Sequence, residues 1–106
     1  MNPPTQCIPC SLERAAWPEH PRVFGLQVRG GAWRDSHRVE DGDLLVCEHG
    51  RVPRDGDLVV VWLDNESVLR RHHVDRRGHV SLDGRPATDE PMVQGVVLRV
   101  VRRAEG

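Results

Sequence analysis

Residues 28–46 read VRGGAWRDSHRVEDGDLLV. Just upstream and into this stretch, Phe24, Leu26 and Val28 alternate with Gly25, Gln27 and Arg29, the period of a strand with one buried face. Gly30 and Gly31 break that strand. The segment RDSHRVE is polar and without periodicity, which predicts an irregular loop. Asp41-Gly42 then signals a turn, and a Leu- and Val-rich run resumes. Strand, glycine break, polar loop, Asp-Gly turn, strand is the order that decides the fold.

The same device recurs downstream. DGDLLVC at Asp41 and DGDLVVVWL at Asp55 are each an Asp-Gly turn feeding an apolar run. Asp64-Asn65 is a tight-turn signal, so residues 58–74 read as a hairpin. GHVSLDG is a further short strand, RPATDEP a loop, and MVQGVVLRVVRR a closing apolar strand. Six or seven short strands with almost no helix predict a mainly β domain over residues 22–106. Residues 1–21 read as a Pro-rich arm carrying Cys7 and Cys10, in which SLERAAW forms a short helix ended by Pro18 and Pro21.

A chain of 106 residues fits one domain. Its net charge of -1 gives no general attraction to nucleic acid or anionic lipid. No apolar run approaches the roughly 18–20 residues of a membrane span, and the first residues lack the basic flank and apolar run of a secretion signal, so the cytoplasm is expected. Three cysteines do not make a disulfide framework. All 15 basic residues are Arg, and none is Lys. A guanidinium stays charged at accessible pH, so no mechanism using a neutral lysine base or a lysine Schiff base is open to this chain.

The ordered motifs carry a resemblance. A strand, Gly-x-small-large, a polar stretch, D-G-D-L-L-V, a second G-D-L-V-V-V strand, an acidic turn, a strand ending in basic residues and a closing G-V-V-x-x-V-V strand together resemble the C-terminal domain of LexA and UmuD. These are self-cleaving serine–lysine peptidases of the bacterial DNA-damage (SOS) response, with distant similarity to type I signal peptidases. The resemblance covers residues 20–103 and implies the all-β peptidase fold of that family. It places the nucleophilic Ser at Ala32, within Gly30-Gly31-Ala32-Trp33, and the general-base Lys at Arg70, within Asp64-Asn65-Glu66-Ser67-Val68-Leu69-Arg70-Arg71-His72. Gly30, Gly31 and Trp33 would line the cleft. Trp33 would either plug it or anchor a peptide.

The chemistry of those two positions is that of a dead site. A serine hydroxyl is a weak nucleophile until a base takes its proton, and a lysine is that base only when its amine is neutral. Ala32 has no oxygen, and Arg70 has no accessible neutral form. Either change abolishes the dyad, so the expectation is a non-enzyme. Two features depart further from the family. The segment from Ala32 to Asp43 is one residue longer, and SLDGRPATDEPM lacks an Asn-containing cleft loop.

Other constellations are open beside this one. Ser36 with a His base, from His37, His72 or His73, would make an active serine peptidase with a displaced nucleophile. Cys7 and Cys10 form half of a zinc site, which His20, His37, His49 or Cys47 would have to complete; otherwise no cofactor is expected. His72 and His73 point to opposite faces of a strand and read as surface or rim residues. Trp62 lies in an apolar strand and reads as core. Arg70, Arg71, Arg76, Arg77, Arg99, Arg102 and Arg103 form a basic cluster, but 16 acidic residues counter it, so no sequence-specific DNA binding is expected.

The apolar closing strand either pairs within the sheet or leaves an edge for a partner. C-terminal strands contribute to homodimers in LexA- and UmuD-like proteins, so the resemblance makes Val96, Val97, Leu98, Val100 and Val101 dimer-interface candidates. Processed UmuD is a dimer without a DNA-binding domain that partners an error-prone polymerase. This chain has no Ala-Gly or Cys-Gly bond to cut. The implied function is a dimeric pseudo-peptidase, a binding or regulatory module whose protein partner is an error-prone DNA polymerase or a repressor-type regulator of DNA repair.

Overall fold

A computed structural model describes residues 11–15, 20–63, 65–83, 85–86 and 92–102. They form eight strands and one short helix: β1 (Ser11–Ala15), β2 (Val23–Arg29), α1 (Arg34–His37), β3 (Leu44–Glu48), β4 (Leu58–Leu63), β5 (Glu66–Val74), β6 (Val80–Leu82), β7 (Arg85–Pro86) and β8 (Met92–Val101). The strands make one antiparallel sheet in the order β1-β2-β3-β8-β4-β5-β6-β7. β1 also touches β5, so the sheet curls around its concave face. The mainly β reading holds.

The alternation in β2 places Leu26 and Val28 in the main core, with Trp33, Val39, Leu45, Cys47, Leu58, Val60 and Leu69. Burying a Leu or Val side chain fully contributes about 1.5–3 kcal/mol, so this cluster holds the curl together. A second, smaller cluster of Val59, Val61 and Val96 lies on the other face. β4 therefore buries both faces, which its unbroken apolar run allows. Gly95 is required where β8 passes Phe24, because a Cβ there would lie 2.8 Å from the ring's Cζ.

The repeated Asp-Gly-Asp stretches fold as twins. In the first, the Glu40 N–H donates to Asp43 Oδ2 at 2.8 Å, and Asp43 N–H returns a bond to the Glu40 carbonyl at 3.0 Å. In the second, Arg54 and Asp57 exchange the same two bonds at 2.8 and 3.0 Å. Gly42 and Gly56 take the positive φ values of 92° and 90° that the turn requires. Each turn then clips one residue of a neighbouring strand. Val28 and His72 each donate to the second Asp carbonyl and accept from the Gly N–H. Two residues further on, Gly30 and Val74 each donate a 2.9 Å bond to Oδ1 of the first Asp.

Several local expectations are corrected. Ser11–Ala15 is not helical; it pairs with β2, setting Leu12 opposite Val28 and against the core. Tertiary pairing overrides the weak helix preference of so short a segment. RDSHRVE is not wholly irregular, since α1 forms within it and buries His37. His72 is buried, not on the surface, because it takes the clipped position that Val28 holds in the twin turn. Trp62 is not core: it lies 42% exposed near the end of β4, where the strand outruns its cover beside exposed Met92.

Candidate functional site

The site is built where β2 ends. Gly30, at φ 97°, turns the chain away, and its N–H is fixed by Asp41. Gly31 and Ala32 follow on the surface, and Trp33 drops into the main core and opens α1. The Arg34 N–H bonds the Gly31 carbonyl at 3.2 Å, tightening the loop. Trp33 is thus committed to packing, and Ala32 presents only a methyl group.

Arg70 lies on β5, opposite Val59 of β4. Its Nη1 donates to the carbonyl of Leu69 at 2.9 Å, and its Nε stands 3.6 Å from Asp83 Oδ2. The same carboxylate oxygen is 3.6 Å from His37 Nε2. Asp83 is itself anchored to β5: its Oδ1 accepts the Arg71 N–H at 2.9 Å, and its own N–H donates to the Arg71 carbonyl at 2.9 Å. The loop holding Ala32 and the strand holding Arg70 are therefore joined through one acid, with α1 seated on β5.

His37 is the unusual member. Its side chain is 4% exposed, and its Nδ1 has no hydrogen-bond partner among the described residues. Burial lowers its pKa below the ordinary 6.5; Asp83 opposes this, while Arg71 and Arg70 add to it. The two guanidinium groups thus act on His37 in the same direction as burial. Sequence reading singled out Arg70 and named His37 only as an alternative base or ligand, and it passed over Asp83. The only trace of Asp83 in the sequence is the Leu-Asp-Gly turn, which says nothing of where its carboxylate goes.

The other candidates are dispersed. Ser36 is exposed, while the adjacent His37 faces Asp83, so the two do not form a hydrogen-bonded dyad. His72 Nδ1 lies 3.2 Å from the Arg54 carbonyl, and His73 Nδ1 lies 3.5 Å from Asp55. Cys7 and Cys10 lie outside the described residues. Among the described residues no group of three or more His, Cys, Asp or Glu is placed to hold a metal. Cys47 is buried, which pushes its thiol pKa up to about 12. A cavity of about 770 Å³ opens elsewhere, between β1, β2 and the start of β8, and neither Ala32 nor Arg70 lines it.

β8 has an uneven environment. It pairs with β3 along Val96–Val101, but with β4 only over Met92–Val96. Among the described residues, 97–101 therefore have no strand partner on one edge, with Leu98 43% and Val100 38% exposed. Val97 and Val101 are half-buried. Val96, expected at a dimer surface, is instead buried in the smaller core cluster because it pairs on both sides.

A curled antiparallel sheet carrying a glycine-led loop after β2, with α1 packed on β5, defines the class as an antiparallel β domain. A family model described as peptidase S24-like matches residues 8–91, and the chain belongs to that family. LexA repressor 1 of Nocardia farcinica is 38% identical over 90 residues, which are 76% of this chain and 39% of that protein. The LexA repressor of Verrucomicrobium spinosum is 33% identical over 91 residues, 80% of this chain and 44% of the relative. That of Koribacter versatilis is 36% identical over 91 residues, 76% and 42%. The chain spans less than half the length of these relatives. No helix among the described residues is long and apolar enough to cross a membrane.

Proposed function

We propose that this chain is a pseudo-peptidase: a peptidase S24-like domain that no longer cuts, and acts as a dimeric binding or regulatory module of the bacterial DNA-damage response. The observation that carries this reading is the content of the two dyad positions. Ala32 offers no nucleophile, and Arg70 is a permanent cation already engaged by Asp83. The LexA repressor names of the relatives support a regulatory setting in the cytoplasm. The partner is a protein, either an error-prone polymerase or a repressor-type regulator, rather than a specific DNA sequence.

The open edge of β8 supports a homodimer made by strand addition between two copies. The test has two parts. Purified protein incubated with peptides should show no hydrolysis and no self-cleavage; turnover that is lost in Ser36→Ala would overturn the reading. Sedimentation should show a dimer that Val100→Arg converts to monomer. An unchanged dimer would remove β8 from the interface.

A further inference from the structure

The contact between Arg70 and Asp83 has a chemical meaning beyond pairing. A lysine ammonium sits one bond further out than an arginine Nε, so a lysine at position 70 would present its charge to the carboxylate now 3.6 Å from Arg70 Nε. An opposite charge within about 4–6 Å favours the charged form of an amine, by about 1–3 pKa units. In peptide hydrolysis the serine hydroxyl passes its proton to the neutral amine as its oxygen attacks the carbonyl. The resulting ammonium then gives that proton to the leaving amine. An amine that already carries the proton cannot begin this sequence.

We propose that Asp83 is a third departure from a working dyad: it would hold a lysine at position 70 in the charged state, so that restoring serine and lysine alone does not restore a base. This rests on the pseudo-peptidase reading. Among the described residues, His37 on α1 shares the Asp83 carboxylate with Arg70, and Arg71 follows Arg70 on β5. Among the described residues, Asp83 is the carboxylate paired with position 70.

The chain contains no lysine, so a single introduced lysine is its only side-chain amine and can be followed without overlap. Two proteins are compared: Ala32→Ser with Arg70→Lys, and the same pair with Asp83→Asn. Asparagine keeps the acceptor for the Arg71 N–H and tolerates the φ of 52° at this position. The introduced amine is ¹³C-methylated and titrated by NMR. With Asp83 present it should titrate at or above the ordinary value of about 10.4, and with Asn at least about one unit lower. The same value in both proteins, or a low value with Asp83 present, overturns the assignment. Should the Asn variant not fold, Asp83→Ser, which also carries an acceptor oxygen and no charge, repeats the titration.

Peptide hydrolysis is the second readout. Activity in the triple variant and not in the double supports the proposal, and activity in the double overturns it. The expected titration shift with no hydrolysis in either variant leaves Asp83 as the charge-setting residue and shows that the cleft itself has decayed. Hydrolysis by the unaltered chain would end the pseudo-peptidase reading, while the titration would still decide the role of Asp83.

Discussion

The ring of His37 and the carboxylate of Asp83 meet at 3.6 Å, Nε2 to Oδ2, across the join between α1 and the sheet. Burial of that ring, which Asp83 only partly offsets, makes the fold sensitive to acid. Unfolded, His37 takes up a proton near pH 6.5; folded, burial and the two guanidinium groups hold its pKa lower, despite Asp83. Below pH 6.5 the unfolded chain therefore binds more protons than the native one. The native state has its full stability from this group above that pH and loses it as pH falls through the folded value. Urea unfolding at about pH 7.5 and about pH 5.5 should show a larger loss for the unaltered chain than for His37→Gln. Equal losses would mean that His37 protonates as easily in the fold as outside it.

A buried acid works in a different pH range. Asp43 is 2% exposed and takes hydrogen bonds from Arg102 Nε at 3.2 Å and Nη2 at 3.0 Å, besides the Glu40 N–H. Burial alone would raise its pKa; the Arg102 and Glu40 bonds outweigh that and hold it below the ordinary 3.8. Arg102→Ala should lower stability at neutral pH, since the buried carboxylate loses two of its hydrogen-bond donors. The advantage of the unaltered chain should be present above pH 3.8 and fade as pH falls through the lower native value, measured by chemical denaturation.

Close approach sets a third expectation. A methyl group at Gly95 would meet Phe24 Cζ at 2.8 Å and the Glu48 carbonyl at 3.2 Å. Gly95→Ala should destabilise by about 1–3 kcal/mol through overpacking. Phe24→Leu, which shortens the obstructing ring, should recover part of that loss in the double variant, read as a melting temperature. A strictly additive double variant would place the strain on the Glu48 backbone instead.

The twin turns give a paired expectation. Gly42 and Gly56 share the same φ within a few degrees, and a methyl group at either position would meet nothing within 4 Å. Gly42→Ala and Gly56→Ala should therefore cost the same, about 1–2 kcal/mol, from backbone strain alone. Thermal melts of the two variants check this. Unequal costs would show that the two turns are loaded differently by their surroundings.

Much of this fold is legible in the chain because its signals are local. The alternation of Phe24, Leu26 and Val28 gives β2, and the two Asp-Gly pairs give the turns before β3 and β4. Ala32 and Arg70 stand out because neighbouring residues frame them. His37 and Asp83 do not, since only the path of the sheet brings α1 and the turn after β6 together. His72 looks like half of a polar pair until its backbone is seen clipped to Asp57 and Gly56. Trp62 misleads for the opposite reason: an apolar run says that a strand is covered, but not how far along its length the cover extends.

The twin turns also carry a consequence for how a site is laid onto this scaffold. Each turn fixes a corner two residues beyond its clipped strand position, at Gly30 in one case and Val74 in the other. The frame offers two architecturally equivalent addresses. One leads into Gly31, Ala32 and α1; the other leads into Asp75, which folds back to receive the N–H groups of Arg77 and His79. The frame does not distinguish the corner that bears the site from the one that bears a tight polar loop. That difference is written in the few residues that follow each corner, which is where chemistry can be lost while the architecture stays intact.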